Sequence, residues 1–404
     1  MKDTCLLKFE NSTLYASEAD SEAFFNTKKG GNPLNDVDYM QFALTLARKA
    51  AGQTSPNPLV GAVIVKDDEI VGFGAHLKAG EAHAEAHAIK MAGDKAKSAT
   101  MYVTLEPCSH DGKTPPCADL LIEAGIKRVV IACQDLNEKV AGRGMEKLRQ
   151  AGIDVEAGIL QEEAEALNQV FFHYIQNQTP YVTVKSAVSL DGKTATATGE
   201  SKWITGEDAR LDVHHYRHTH DAILVGVNTV IADDPSLTTR LPGGGKNPIR
   251  IILDTSLRTP IDVKIVTDQE AETWIFIGKD VTEREKKRFA EKDYVKLIQL
   301  EAEEVHVAEV LQKLGEEGIT SLFVEGGAEV NGSFLASKRI NQVVTYLAPK
   351  LIGGKTAPTS FSGTGFSEME DVLDVEIKHV EKIGNDIKIV AEPREEKAHV
   401  YGDH

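Results

Sequence analysis

Cysteine is scarce in this chain. Four in 404 residues cannot staple a protein of this size, and in a chain read as unexported they stand as thiols or metal ligands. No export signal is read because the N-terminus carries no basic region followed by an apolar core. No apolar run approaches the roughly 20 residues that span a bilayer, so no membrane partner is expected. Positive charge is in deficit: 45 Lys and Arg stand against 62 Asp and Glu, a net charge of −17. That balance argues against a nucleic-acid partner while leaving room for a local basic pocket that takes a small anion. No internal repeat relates the two halves. Residues 181–395 hold no strand–GxGxxG–helix unit, so a standard dinucleotide fold is not supported. The expectation at this point is a cytoplasmic enzyme acting on small molecules.

What the chain does have is enough apolar residues, 41%, to bury real cores, and a length that predicts more than one domain. Residues 1–36 show no sustained period and read as a weakly ordered extension. From Val37, the positions Met40, Ala43, Leu44 and Ala47 recur at helical spacing until Gly52. "LVGAVIVKDDEIVGFGAH" reads as two strands around a Lys-Asp-Asp-Glu turn, and "ATMYVTLEPC" as a buried strand. "CADLLIEAGIKRVVIACQD" and "GMEKLRQAGIDVEAG" are helix–Gly–strand units, which implies a layered α/β sheet. Thr179-Pro180 breaks the pattern. Beyond it "DAILVGVNTV", "IRIILDTSL", "TWIFIGKD", "VKLIQL", "SLFVEGGAEV" and "QVVTYLAPKLIGG" are strand-like, with helical stretches between some of them. "LPGGGKNP" at 241–248 reads as a flexible internal loop and 397–404 as a frayed tail. The predicted domains are 37–180 and 181–396.

Residues 81–93, "EAHAEAHAIKMAG", crowd His83, Glu85 and His87 together without a basic partner before Lys90. Further on, "EPCSHDGKTPPC" supplies Cys108 and Cys117. One imidazole and two thiolates make a three-ligand set of the kind that leaves a fourth position of a catalytic zinc for water. Glu85, two residues past His83 at a helix start, can lean over the same metal without ligating it. H-x-E followed by P-C-x-x-C is the zinc deaminase pattern. Here eight residues, "SHDGKTPP", separate the cysteines where two are usual, a shaped loop that also offers His110 and Lys113. His87 reads as a packing residue or one that supports a ligand from behind, Cys133 as a buried strand residue, and Cys5 carries no case. In the second half, the strand–Glu325–Gly-Gly–helix turn of "SLFVEGGAEVNGSFL" invites a phosphate at a helix start, although such turns are often purely structural. Arg217 and Arg240 taken alone read as exposed surface charges.

Taken together, "TSPNPLVGAVIV", "HAEAHA", "TLEPCSHDGKTPPC" and "VAGRGMEKLRQAGI" resemble the deaminase domain of the bifunctional riboflavin-biosynthesis deaminase/reductase family. "SLDGKTATATGESKWITG", "ADDPSLTTR", "FVEGGAEVNGSF" and "LAPKLIGG" resemble its reductase domain, so the likeness covers roughly 37–395. The resemblance implies a cytidine-deaminase-like three-layer α/β domain followed by a dihydrofolate-reductase-like α/β domain. It implies zinc (Zn2+) on His83, Cys108 and Cys117, Glu85 as proton shuttle, and Asn57, His76 and Lys113 around a pyrimidine phosphate. It implies NADPH near Ala187, Trp203, Thr229, Asp233, Gly326, Gly327 and Ser333, and a ribosyl phosphate held by Ser201, Arg217, Leu237, Arg240 and Glu325. Lys185 and Asp233 are candidate proton donors by residue type. The implied reactions are hydrolytic deamination of 2,5-diamino-6-ribosylamino-4(3H)-pyrimidinone 5′-phosphate and reduction of its ribosyl chain to ribityl, in a homo-oligomer, dimer or tetramer. Two rivals remain on the residues alone: a nucleoside or tRNA-base deaminase with an unrelated partner domain, and a zinc-stabilised binding protein in which His87 or His110 closes the metal site.

Overall fold

The computed structural model describes residues 34–109, 115–137 and 141–394. The expected extension and tail lie almost wholly outside these residues, as do His110 and Lys113. The chain divides into two compact units, with the break between Asn177 and Gln178.

The first unit opens with α1 (Asp36–Lys49). The Asn35 side chain accepts from the backbone N–H groups of Val37 and Asp38, and the Asp38 carboxylate accepts from the Asn35 N–H, so a reciprocal cap starts the helix one residue before Val37. Strands β1 (Gly61–Lys66) and β2 (Glu69–Ala75) form the expected hairpin, with Asp67 and Asp68 both at positive φ in its two-residue turn. β3 (Thr100–Leu105), β4 (Arg128–Cys133) and β5 (Asp154–Ala157) complete a sheet of order β2-β1-β3-β4-β5. β1 is antiparallel to both neighbours, and β3, β4 and β5 run parallel.

Two glycines bring helices onto opposite faces of this sheet. A Cβ on Gly61 would lie 2.0 Å from the Ala43 carbonyl oxygen of α1. One on Gly74 would lie 2.6 Å from the Ala84 carbonyl oxygen of α2 (Ala84–Ala92). Gly74 pairs with Ala62, so Gly61 and Gly74 point to opposite sides, and α1 and α2 make the outer layers. The core joins Met40 and Leu44 of α1, Ala84 and Ala88 of α2, Ala164 of α5 (Gln161–Leu167), Phe172 of α6 (Gln169–Asn177), and the β1, β3 and β4 valines and isoleucines.

The second unit is a nine-stranded sheet of order β10-β9-β8-β7-β11-β6-β12-β14-β13. Its strands are β6 (Tyr181–Ser189), β7 (Ala222–Gly226), β8 (Ile249–Leu253), β9 (Thr273–Ile277), β10 (Val295–Gln299), β11 (Ser321–Val324), β12 (Gln342–Ala348), β13 (Val375–Ile383) and β14 (Asp386–Pro393). All run parallel except the closing β13–β14 hairpin, whose β14 pairs antiparallel with β12. Alternate residues of β7 divide between two cores. Ile223 and Val225 pack with Val213 of α7 (Glu207–Thr219) and Val230 of α8 (Val227–Asp233); Ala222 and Leu224 pack with Leu311 of α9 (Val307–Glu316) and Phe334 of α10 (Ala328–Ala336).

Two readings of the sequence change here. The apolar run 222–230 is not one strand: Gly226 ends β7 and caps α8. The β13–β14 hairpin is not evident in the sequence, because a register shift between Ile377 and His379 breaks the alternation of Val375, Ile377 and Val380, and β13 is exposed almost throughout. No helix of the described residues is long and apolar enough to cross a membrane.

Candidate functional sites

In the first unit His83, Cys108 and Cys117 come together, with their ligand atoms within 4.8 Å of one another. Local structure explains each placement. His83 is the N-cap of α2, yet its side chain makes no capping bond. Its Nδ1 lies instead 3.2 Å from the Cys117 Sγ and 3.7 Å from the Cys108 Sγ. Cys108 follows the end of β3, and Cys117 is the first residue of α3 (Cys117–Glu123), so the Cys117 backbone N–H reaches the Cys108 sulfur at 3.3 Å. Donation from Cys117 and from His83 holds the Cys108 thiol down to about 4, while that same contact and burial push Cys117 up. A low-pKa sulfur beside a second thiol and an imidazole is a donor set suited to zinc.

Glu85 sits in the first turn of the same helix and is buried, and burial pushes its carboxyl up. Its Oε2 has no hydrogen-bond partner although it lies out of solvent. A buried unsatisfied carboxylate oxygen is costly unless something else occupies its site. A water or substrate proton beside a metal would satisfy it, so the residues fit the ion. A cavity of about 440 Å³ opens over the cluster, lined by Asn57, His76, His83, Glu85, Glu106 and Cys108 among others. Asn57 Nδ2 lies 3.0 Å from His76 Nε2, and the Ala82 carbonyl lies 3.2 Å from His76 Nδ1, which fixes the ring. His87 packs its Cβ toward Gly74, and Cys133 is buried with its thiol pushed up to about 12 by desolvation, in keeping with the packing roles read for both.

Sequence reasoning missed Glu106. Its buried carboxylate accepts from the N–H groups of Gly142 and Gly144 at 2.9 Å and of Met145 at 3.2 Å, tying the segment that carries Cys108 to the start of α4 (Arg143–Gln150). The only signal is the acid in "LEPC", which nothing in the spacing sets apart.

The second unit holds its candidate site where the parallel strands β7, β8 and β11 end, the position at which open α/β sheets take ligands. A cleft of about 630 Å³ is lined there by Thr229, Thr255, Ser256, Arg258, Gly327 and Ser333 among others. Gly327 caps α10, and a Cβ there would meet only the Thr229 Oγ1, at 3.8 Å. Gly326 is tight for an internal reason, since a Cβ would lie 2.6 Å from Val330. A roomy cleft with a helix start, hydroxyls and the Arg258 cation fits a dinucleotide phosphate. Arg258, which the sequence reading does not name, donates to Asn228 Oδ1 at 2.9 Å.

Beside the end of β11, Glu325 is largely covered and paired. Arg217 donates to it through Nε at 2.7 Å and Nη2 at 3.1 Å, and Lys185 Nζ lies at 3.7 Å. Burial alone would push this carboxyl up; Arg217 and Lys185 outweigh it and hold it at about 2. Arg217 also donates to the Thr238 carbonyl at 3.0 Å, and Arg240 to the Thr238 hydroxyl at 3.2 Å, next to buried Leu237. Arg217 is therefore no loose surface charge: its side chain is 11% exposed. Of the residues expected around the cofactor and the ribosyl phosphate, Thr229, Gly327 and Ser333 share the cleft, and Arg217, Leu237, Arg240 and Glu325 share the polar cluster. Ala187 on β6, Ser201, Asp233 at the end of α8 and exposed Trp203 line neither.

Comparison with known proteins joins these two sites in one enzyme. Residues 34–133 match the cytidine and deoxycytidylate deaminase zinc-binding region, and residues 180–389 match the RibD C-terminal domain. The riboflavin biosynthesis protein RibD of Bacillus amyloliquefaciens is 54% identical over 89% of this chain and 96% of its own length. That of Escherichia coli is 42% identical over 88% of this chain and 98% of its own. Among solved structures, form 1 of Acinetobacter baumannii RibD superposes with a TM-score of 0.79 at 40% identity, covering 89% of this chain and 99% of that one. A diaminohydroxyphosphoribosylaminopyrimidine deaminase/5-amino-6-(5-phosphoribosylamino)uracil reductase from Thermotoga maritima gives 0.80 at 36%, with the same coverage. Both halves match in order and over nearly the full length of these relatives, and the chain belongs to the RibD family of riboflavin biosynthesis, in which a zinc-dependent pyrimidine deaminase precedes an NADPH-dependent reductase.

Proposed function

We propose that the deaminase domain, 37–180, removes an amino group from 2,5-diamino-6-ribosylamino-4(3H)-pyrimidinone 5′-phosphate, and that the reductase domain, 181–396, then reduces the ribosyl chain to ribityl. In this reading His83, Cys108 and Cys117 hold zinc, and Glu85 moves the proton. The observation that carries it is the buried, unpartnered Oε2 of Glu85 beside a three-donor cluster. When bound, zinc supplies the Lewis acidity that makes water nucleophilic near neutral pH. Glu85 takes a proton from the attacking water and delivers it to the departing amine, so that water and the amino compound give ammonia and the ring carbonyl. Asn57, oriented through His76, reads an amide edge of the pyrimidine, and Lys113 meets its phosphate.

In the reductase, Thr229, Gly327 and Ser333 bind the dinucleotide in the cleft they line, and Ala187, Trp203, Asp233 and Gly326, which lie outside that lining, are the further residues assigned to it. When bound, NADPH supplies the hydride, and the protein supplies alignment. Arg240 takes the substrate phosphate while Glu325 holds Arg217 and the Leu237 segment in place, and Ser201 is a further residue assigned to the substrate. Lys185, 3.7 Å from Glu325, is better placed to give a proton to the reducing sugar than exposed Asp233. A cytoplasmic homo-oligomer, dimer or tetramer, is part of the same reading, and sedimentation and cell fractionation test it.

The test is Glu85→Gln in purified full-length enzyme, with zinc content, ammonia release and NADPH oxidation read separately. Zinc should stay bound and ammonia release should fall about 10²–10⁴-fold, the contribution of one positioned proton-transfer group. NADPH oxidation on the deaminated intermediate should not change. Loss of zinc, or unimpaired ammonia release, would remove Glu85 from this role.

A further inference from the structure

The glycine-rich loop 241–248 reads as slack in the sequence, yet the fold ties it down at both ends. Thr239 donates its hydroxyl to the Lys246 carbonyl at 2.8 Å, and its N–H donates to Asn247 Oδ1 at 2.9 Å. Lys246 reaches Asp221 through Nζ at 3.2 Å. The remaining ties come from α7. His214 Nδ1 accepts the Arg240 backbone N–H at 3.3 Å, and His218 Nδ1, one helical turn on, accepts the Lys246 backbone N–H at 2.9 Å. The Thr238 carbonyl also meets the His214 ring. Gly245 presses on the His218 imidazole: a Cβ there would lie 3.2 Å from His218 Nδ1 and 2.7 Å from Thr239 Cγ2.

We propose that His214 and His218 are positioning residues of the reductase, two neutral imidazoles whose Nδ1 acceptors dock the 239–247 loop on α7 and so aim Arg240 at the substrate phosphate. This rests on Arg240 as the residue that takes that phosphate. A histidine can accept at Nδ1 only while neutral, so protonation converts each tie into a repulsion between two donors. The surroundings favour the neutral form. Burial, together with Arg217 and Arg240 and against Glu325 and the Thr238 carbonyl, holds His214 down to about 4. Burial, with His215 and Lys246, lowers His218. Docking is therefore complete above the ordinary histidine value of 6.5 and is lost as pH falls below it through the docked values.

The experiment uses full-length enzyme supplied with the deaminated intermediate. It reads KM and kcat from pH 5.5 to 8 and amide hydrogen exchange over 239–247. His218→Ala should raise KM about 2–10-fold at pH 7.5, leave kcat within about twofold, and speed exchange in the loop, as expected for loss of one such hydrogen bond. His218→Asn keeps an oxygen acceptor near the Nδ1 position and cannot be protonated. It should restore KM at pH 7.5 and abolish the part of the acid-side rise in KM that the wild type shows beyond it. The substrate phosphate titrates identically in both enzymes, so the difference between their curves isolates the histidine. Unchanged exchange and KM in His218→Ala, or a His218→Asn curve that follows the wild type, would overturn the proposal. Arg240→Ala separates the two ideas. If it leaves KM unchanged while His218→Ala speeds exchange, the phosphate role of Arg240 fails and the positioning role falls with it, though the docking stands. If Arg240→Ala raises KM and His218→Ala does nothing, the docking inference alone fails.

Discussion

In the first unit three side chains from residues 83, 108 and 117 converge within 4.8 Å, and two of them sit at helix starts. In the second unit the candidate residues are spread over the ends of three strands, a cleft of about 630 Å³ and an internally satisfied ion cluster. The deaminase site keeps donors poised for a partner from outside the chain, and one of its buried oxygens has none within it. The reductase cluster is complete without a ligand, since Glu325 already holds Arg217 and Lys185. Metal chemistry needs particular atoms at fixed separations, whereas hydride transfer needs a shaped space and alignment.

Metal removal should separate the two most sharply. Chelation, or Cys117→Ser, is expected to abolish ammonia release and leave NADPH oxidation on the deaminated intermediate within about twofold. A measured loss of both activities would mean that the sites are not independent and the contrast fails.

Glu325→Gln probes the other side. Removing the carboxylate leaves Arg217, 11% exposed, beside Lys185 with no opposite charge, and breaking such a buried pair costs about 3–5 kcal/mol. Thermal unfolding should show the reductase transition falling while the deaminase transition stays. The pH dependence has a defined sign. The carboxyl is held at about 2, below its ordinary 4.5, so its contribution is present above about 4.5 and is lost as pH falls toward 2. A reductase transition that holds its temperature in the variant would mean that the cluster is not stabilising.

The same contrast explains which features are legible in the linear sequence. The cluster of His83, Cys108 and Cys117 is legible because the donor types themselves are the signal, and the layers are legible because helix–Gly–strand units repeat. Glu106 is not, since its role lies in backbone N–H groups of residues 142–145 that only folding brings to it. Arg217 looks like a surface charge because its partner, Glu325, is 108 residues away. The loop at 241–248 looks slack because glycine suggests freedom, while the groups that hold it are on α7. The β13–β14 hairpin escapes because a bulge breaks its period. Side-chain chemistry survives in one dimension, and contacts made through backbone or across long separations do not.

The smallest expected effect is at the cleft proposed for the cofactor, where a single charge should decide little of the shape but much of the selectivity. Arg258 is the cation among the lining residues, exposed beside Ser256 and Thr255 and braced by Asn228. Glu329 shares the same cleft, so Arg258 offsets a charge that would repel phosphate. NADPH differs from NADH by one phosphate, and a charge-assisted contact to it is worth about 1.5–3 kcal/mol, roughly 10–150-fold in affinity. Arg258→Ala should weaken NADPH binding by at least about tenfold, read by nucleotide fluorescence, and change NADH binding less than about twofold. Salt should weaken NADPH binding to the wild type more than to the variant, because an exposed charge contact is screened. Equal losses for both nucleotides would mean that Arg258 shapes the cleft and does not read the phosphate. The reductase would then select its cofactor by backbone and space alone, which would widen its contrast with the zinc site.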